Sequence, residues 1–163
     1  MSTTNQLQHI SSHPDCEVKR HLSNNQNGLF ASTPFKKGDI VIDFSSSKIV
    51  DTPNYLTVQI AENKHIHLSP EYLQYINHSC EPNVLFNTST MQLECLTDIE
   101  IGDELFFFYP ATEWKMSQVF NCHCGKASCV GLIQGASFLP MDVLKNYKLT
   151  DFIASMVQNR NSL

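Results

Sequence analysis

The stretch YINHSCEPNVLFN, residues 75–87, decides how this chain folds. It places the polar run Asn-His-Ser-Cys, and then Pro82 and a second Asn, between two short apolar runs. Polar residues and a proline weaken a strand, and such local conflicts in a sequence concentrate at functional sites. The stretch therefore predicts a binding site within an otherwise strand-like segment.

The composition of the chain is that of one globular domain. Its 163 residues leave no room for a second core of normal size, and 42% of them are hydrophobic and 10% aromatic. The net charge of −5, without a basic run that could follow phosphates, argues against direct nucleic-acid binding. The same acidity would suit a basic partner such as a lysine-rich peptide.

Location is predicted from what the sequence lacks. The chain has no apolar stretch long enough for a bilayer, and its start lacks the basic-then-apolar order of a secretory signal. Six cysteines in such a chain favour thiols or a metal site over disulfides, because the cytoplasm and nucleus keep thiols reduced. We therefore expect an intracellular protein, in the cytoplasm or nucleus, without membrane association.

Short apolar runs separated by turn residues predict a mainly β fold. Residues 1–17 are polar and unpatterned, and we expect a flexible lead-in there. Apolar runs flank residues 62–64 and again residues 88–90, which predicts two hairpins. Residues 140–160 carry apolar side chains at helical spacing, which predicts two short C-terminal helices.

Four residues that could carry chemistry are better explained by their surroundings. His65 and His67 alternate on one predicted strand, with no carboxylate or third histidine at a supporting spacing. This favours a solvated strand face over a second metal site. Cys16 and Cys95 are isolated in the sequence, and core packing is the better account of each.

Three cysteines form a C-x-C-x4-C spacing with glycines beside them: Cys122, Cys124 and Cys129. The glycines let the loop turn tightly enough for three thiolates to converge on one ion. Structural zinc prefers four tetrahedral ligands, so one more ligand is needed. His123 is a poor candidate because adjacent residues rarely reach the same tetrahedron, and Cys80 is the more attractive one. The cluster predicts one structural Zn²⁺ ion.

Three motifs in order, YINHSCEPNV, GDELFFFY and CHCGKASCVG, resemble the SET-domain family of lysine methyltransferases. The resemblance covers roughly residues 18–133. It implies a β-clip fold of several small sheets with a threaded pseudoknot. The chain is then divided into the lead-in over 1–17, a SET domain over 18–119, a post-SET zinc segment over 120–133 and a C-terminal helical extension over 134–163.

The resemblance also implies how the cofactor and the metal are bound. S-adenosyl-L-methionine would be held by residues from all along the SET domain: Asn27, Gly28, Asn77, His78 and Tyr109. The Cys of the NHSC motif completes the zinc site in this family, which independently supports Cys80. Asn83 would fix the threaded loop through hydrogen bonds to the backbone.

Catalysis is implied to depend on Tyr109, which matches the family's catalytic tyrosine. A substrate channel would be lined by Phe44, Tyr75 and Phe107. A lysine amine must react in its neutral form although its free pKa is about 10.4. A narrow aromatic channel favours the neutral amine by desolvation and aligns its nitrogen with the methyl group.

The sequence departs from the family pattern where Gln26 replaces a glycine, Phe44 a tyrosine and Phe108 an aspartate. We expect a protein-lysine N-methyltransferase acting on a basic peptide such as a histone tail, as a monomer or homodimer. Two alternatives stay open. The enzyme could methylate a small amine or metabolite, which the short insert over 48–72 would suit. The chain could also be a catalytically silent SET module that binds a partner.

Overall fold

Short strands predominate in the computed structural model, which describes residues 6–161. The strands are β1 (Leu7–Ser12), β2 (Cys16–His21), β3 (Gln26–Ala31), β4 (Ile40–Asp43), β5 (Ser45–Val50), β6 (Thr57–Ala61), β7 (Lys64–Ser69), β8 (Asn77–His78), β9 (Val84–Asn87), β10 (Gln92–Cys95), β11 (Phe106–Phe107), β12 (Phe120–Asn121) and β13 (Leu132–Ile133). The helices are α1 (Met141–Leu144) and α2 (Asp151–Asn161), with 3-10 turns at Glu71–Tyr75, Tyr109–Ala111 and Ala136–Phe138. The prediction of a mainly β fold with short C-terminal helices is confirmed.

The described strands form five small sheets. Three of them are three-stranded and antiparallel, in the orders β1-β2-β3, β4-β10-β9 and β5-β7-β6. β8 pairs with β11 in parallel, and β12 pairs with β13 antiparallel. Both predicted hairpins are present, as β6–β7 and β9–β10. Because no sheet exceeds three strands, the core lies where separate sheets pack together.

The N-terminal segment differs from the predicted lead-in over 1–17. Residues 1–5 lie outside the described part of the chain, but Leu7–Ser12 form β1, which pairs antiparallel with β2. Most side chains of β1 are exposed. The strand is therefore held by backbone hydrogen bonds rather than by apolar packing, which is why its sequence shows no apolar alternation. The prediction of a flexible segment is wrong for these residues.

The largest apolar cluster, called the strand core below, includes Val18, Leu29, Val58, Ile66, Phe86 and Leu93. Cys16 and Cys95 are buried within it, which confirms that both are packing residues. His65 lies on β7, the central strand of its sheet, and is only 4% exposed. The predicted solvated face is therefore wrong for His65, and burial lowers the pKa of its ring.

Two smaller clusters are built mainly from residues after β11. The cysteine core is centred on five buried residues: Cys80, Leu85, Phe108, Ala111 and Ile133. The helix core is centred on four: Ala136, Leu144, Ile153 and Val157. Only the two-residue strands β12 and β13 provide sheet structure between residues 108 and 161, so turns and short helices hold this part of the chain.

The C-terminal extension joins both smaller cores. The Tyr147 ring stacks on Phe108, with centroids 3.7 Å apart and planes at 5°, and its hydroxyl donates to the Cys80 carbonyl at 2.8 Å. Arg160 donates to three backbone carbonyls between residues 136 and 139. The extension predicted over 134–163, of which the structure describes residues up to 161, is thus an integral part of the fold.

The NHSC segment (residues 77–80) and the aromatic strand β11 run side by side. They pair in parallel, with Asn77 opposite Phe106. Asn83 donates from Nδ2 to the Glu104 carbonyl at 2.9 Å and accepts at Oδ1 from the Phe106 N–H at 2.8 Å. The prediction that Asn83 makes backbone hydrogen bonds is confirmed. This parallel pairing brings together side chains that are far apart in sequence.

Candidate functional site

A cleft of about 880 Å³ lies where the strand core meets the cysteine core. Its walls come from the turn after β2, from β6, from the NHSC segment, from β11 and from the loop that carries the clustered cysteines, residues 121–130, called the cysteine loop below. The lining residues that matter for its chemistry are His21, Gln26, Thr57, Val58, Asn77, His78, Phe86, Glu104, Phe107, Tyr109 and Glu113. Six of the predicted site residues therefore share one cavity: Asn77, His78, Phe107, Tyr109, Cys122 and Cys124.

The side chain of Asn77 is oriented by two acceptors. Its Nδ2 donates to the Asn27 carbonyl at 2.9 Å and to Glu104 Oε1 at 3.1 Å. Because both amide hydrogens have acceptors, Oδ1 is the atom left to accept a hydrogen bond from a ligand. Asn27 thus orients Asn77 through its backbone carbonyl. Its side chain points elsewhere and accepts a hydrogen bond from Arg20 Nε at 3.1 Å.

His78 connects the NHSC segment to Tyr109. Its Nδ1 accepts the backbone N–H of Tyr109 at 3.1 Å, and its Nε2 lies 3.5 Å from the Cys80 sulfur. Burial lowers the pKa of His78 to about 4. The ring is therefore neutral at pH 7, and since Nδ1 accepts, its proton is assigned to Nε2.

Gly28 lies against the carboxylate of Glu104. A Cβ at this position would overlap Glu104 Oε1, so a side chain would displace the carboxylate that orients Asn77. The other oxygen of Glu104 pairs with His21 Nε2 at 2.8 Å. This close approach explains why glycine is needed at position 28. The earlier glycine of the family pattern is replaced by Gln26. Sequence reasoning missed both Glu104 and His21, although the GDEL motif contains the glutamate.

Tyr109 begins a 3-10 turn directly after β11. Its hydroxyl donates to the Ile76 carbonyl at 3.3 Å, and its ring lies edge-on to His78 with centroids 5.1 Å apart. Burial raises the pKa of the Tyr109 hydroxyl, and the nearby carboxyl of Glu113 raises it further. The hydroxyl is therefore a protonated, oriented group near neutral pH.

Of the three residues predicted to line a substrate channel, only Phe107 lines the cleft. It packs against Phe86, with centroids 4.9 Å apart, and against Tyr109 at 4.5 Å. Phe44 is buried in the strand core, edge-on to Phe86 at 5.4 Å, and Tyr75 packs against the same core. The structure thus places these two behind the cleft lining, with Phe86 in contact with both Phe44 and Phe107, and their part in a channel stays a prediction.

Four thiols converge at one point, with their sulfur atoms within 4.8 Å of one another: Cys80, Cys122, Cys124 and Cys129. The sulfurs of Cys80 and Cys122 are 3.8 Å apart. Sulfurs bound at about 2.3 Å to a tetrahedral zinc ion would be separated by about 3.8 Å. Gly125 and Gly131 adopt φ values of 71° and 79°, which a tight loop requires. The donor set fits one zinc ion, and His123 is exposed and outside it.

Glu113 is a buried acid that sequence reasoning missed. The residue lines the cleft and is 7% exposed. Its Oε1 accepts from the Gln59 backbone N–H at 2.9 Å and lies 3.4 Å from the Thr112 hydroxyl. Burial raises the pKa of Glu113 to about 8. The only sequence signal was a lone acid beside Trp114, which does not distinguish a buried carboxyl from a surface one.

Comparison with known families agrees with this geometry. The SET domain family model matches residues 26–110, from β3 to the turn at Tyr109. The chain belongs to the SET-domain family. The matched part contains the NHSC segment, β11 and Tyr109, whereas three of the four clustered thiols and the C-terminal extension lie beyond it.

Three relatives are similar in sequence to parts of this SET-domain protein. Methyltransferase flvH of Aspergillus flavus is 40% identical over 108 residues, 65% of this chain and 60% of that protein. Histone-lysine N-methyltransferase set9 of Schizosaccharomyces pombe is 36% identical over 58 residues, 34% of this chain and 12% of that protein. A SET and MYND domain-containing protein of Dictyostelium discoideum is 29% identical over 136 residues, 77% of this chain and 24% of that protein.

The alignments thus span less than two thirds of each relative's own length. Among the helices that the structure describes, none is long and apolar enough to cross a membrane.

Proposed function

We propose that this SET-domain protein is an S-adenosyl-L-methionine-dependent N-methyltransferase. The observation that carries the proposal is the convergence of Asn77, His78 and Tyr109 on one cleft. Asn77 and His78 are fixed by hydrogen bonds that leave Asn77 Oδ1 available to a ligand. Such preorganised polar groups in a concave site are what a binding pocket requires.

The cleft suits the cofactor by its volume and by its polar groups. Asn77, His78 and the backbone at Asn27 and Gly28 would hold it, and Tyr109 would lie beside the transferred group. The cofactor supplies a methyl group: the acceptor nitrogen bonds to the methyl carbon as the carbon–sulfur bond breaks, and the product ammonium releases a proton to water. The cysteine cluster would hold one structural zinc ion, whose role is to fix the wall of the cleft.

The protein's own contribution is to orient a neutral amine. Phe86, Phe107 and Tyr109 form an aromatic surface on which an ammonium loses hydration, so the neutral amine is favoured. The Tyr109 hydroxyl donates to the Ile76 carbonyl, which leaves its lone pairs free and would let them stabilise the positive charge that develops at the methyl group. The replacement at Phe108 does not disturb this surface, because its ring stacks on Tyr147 in the cysteine core.

The first acceptor to test is the lysine side chain of a basic peptide such as a histone tail. The name of the Schizosaccharomyces pombe relative supports it, and so does the net charge of −5. A histone-directed activity would place the protein in the nucleus, and free thiols suit the nucleus and the cytoplasm alike. A second candidate acceptor, a small free amine, is favoured by the way Glu113 covers the edge of β6.

A calorimetric titration of the zinc-loaded protein with S-adenosylhomocysteine tests the cofactor site. We expect micromolar binding, weakened about tenfold or more by Asn77→Ala because the ligand loses a fixed acceptor. Asn63→Ala, at an exposed asparagine in the turn between β6 and β7 and outside the cleft lining, is the matched control and should leave the affinity unchanged. No binding by the folded protein would favour the catalytically silent module.

Tyr109→Phe tests the catalytic step separately from binding. Methyl transfer should fall by about 100-fold or more, as when one oriented group at a transition state is removed. The affinity for S-adenosylhomocysteine should stay nearly the same. Unchanged turnover would remove the Tyr109 hydroxyl from the mechanism.

A further inference from the structure

The sheet edge that borders the cleft is closed by the chain itself. β6 is an outer strand of its sheet, and Thr57 and Val58 on it line the cleft. An extended peptide would bind such an edge by adding a strand to its outward N–H and C=O groups. The outward N–H of Gln59 instead donates to Glu113 Oε1 at 2.9 Å. The Thr57 N–H donates to the Asn54 carbonyl at 3.2 Å.

This closure is anchored on its outer side. The side chain of Gln59 accepts the backbone N–H of Trp114 at 2.9 Å, and the Arg160 guanidinium lies 5.9 Å from the centre of the Trp114 ring. The opposite outer strand, β5, contributes no residue to the cleft lining. A peptide strand therefore cannot pair with the Thr57 and Gln59 N–H groups of β6 unless Asn54 and Glu113 release them.

The carboxyl of Glu113 also lacks a cation. Its two neighbours at Oε1 are neutral groups, and within residues 6–161 no lysine or arginine forms an ion pair with it. Lys126 lies on the cleft wall but pairs with Glu81 at 3.8 Å, and His21 pairs with Glu104. A buried carboxyl without a cationic partner keeps its proton, and a cationic ligand would restore its charge.

We propose that the acceptor is a small aliphatic diamine rather than an extended peptide, and that Glu113 binds the ammonium group that does not react. This inference rests on the methyltransferase activity proposed above. Glu113 is placed for the role because its backbone N–H donates to the Tyr109 carbonyl at 3.0 Å, which keeps both residues on one wall of the cleft. The reacting amine would face Tyr109 and the charged end would face Glu113.

Binding of amines to the zinc-loaded protein, saturated with S-adenosylhomocysteine, tests the proposal without turnover. Calorimetric titrations with butane-1,4-diamine and with butylamine compare a ligand that has a second ammonium with one that lacks it. We expect the diamine to bind about tenfold more tightly, since a buried ion pair is formed only by the diamine.

Glu113→Gln removes the charge but keeps an oxygen that can accept the Gln59 N–H. It should abolish the preference for the diamine while leaving the affinity for butylamine within about twofold. Glu62→Gln makes the same chemical change in the exposed turn between β6 and β7. It should leave the preference for the diamine intact. A purely structural role of Glu113 would weaken both amines alike.

Three outcomes would overturn the proposal. The first is equal affinity for the two amines in the natural protein, and the second is a preference that survives in Glu113→Gln. The third is a larger kcat/KM for a synthetic 20-residue lysine-rich peptide than for butane-1,4-diamine. Absence of S-adenosylhomocysteine binding at the start would overturn the proposed function itself, so the two failures are distinguished before any amine is added.

Discussion

The strand core and the cysteine core meet at Tyr109, but they are stabilised in different ways. The strand core buries many large apolar side chains between three-stranded sheets. The cysteine core is centred on five buried residues beside four converging thiols. With fewer fully buried residues to offset the entropy of ordering the loop, this region is where we expect a bound metal to contribute most to stability. We therefore expect one wall of the cleft to fold by packing and the other to depend on zinc.

Removal of zinc should have the largest effect, because it should unfold the cysteine loop and leave the strand core folded. Chelation, or Cys124→Ser, should release residues 120–133, because structural zinc contributes about 10 kcal/mol or more in small sites. Hydrogen exchange measured by mass spectrometry should show lost protection there, with β2, β3, β9 and β10 still protected. Cys95→Ala, a thiol of the strand core, is the control and should retain zinc. Simultaneous loss of protection in both regions would show that the two cores are not separable.

Changes at Tyr147 should show how much the C-terminal extension stabilises the cysteine core, because this side chain joins the two. Tyr147→Ala should lower the free energy of unfolding by about 2–3 kcal/mol through the lost stack on Phe108. Tyr147→Phe keeps the stack and loses only the hydrogen bond to Cys80, for about 1 kcal/mol. Denaturant unfolding of the zinc-loaded variants measures both. Equal losses in the two variants would assign the whole effect to the hydroxyl.

Glu113, which links the turn after Tyr109 to β6, should make the stability of the protein depend on pH. Its pKa rises from an ordinary 4.5 to about 8 on folding, so the folded protein holds a proton that the unfolded chain releases. Stability should therefore fall as pH rises from 4.5 to 8, by up to about 1.4 kcal/mol per pH unit. Glu113→Gln should remove this slope, and the difference from the natural protein should be largest near pH 8. Unfolding curves at pH 5.5 and 8 measure it, and identical pH dependence would contradict the assignment.

Much of the strand core and of the cleft could be predicted from sequence because local patterns encode them. Alternating apolar residues around short turns predict the hairpins, and the NHSC segment predicts Asn77, His78 and Cys80. β1 was missed because an exposed strand held by backbone pairing needs no apolar alternation. His65 was missed because its burial comes from the neighbouring strands of its sheet.

Predictions failed where a side chain's direction depends on distant segments. The successive Phe107 and Phe108 point to different cores, and only the fold assigns Phe107 to the cleft and Phe108 to Tyr147. The sequence likewise does not show that Phe44 is buried edge-on against Phe86. Glu113 looks like a surface acid until the hairpin of β6 and the turn after Tyr109 are brought together.

The single tryptophan of the chain gives this architecture a built-in optical probe. Trp114 follows Glu113, is bonded through its backbone to Gln59 in β6, and packs against the helix core. Its indole emission reports the local access of water where the helix core adjoins β6. Intrinsic fluorescence can therefore follow zinc loss, amine binding and undocking of the extension in unlabelled protein, from one residue.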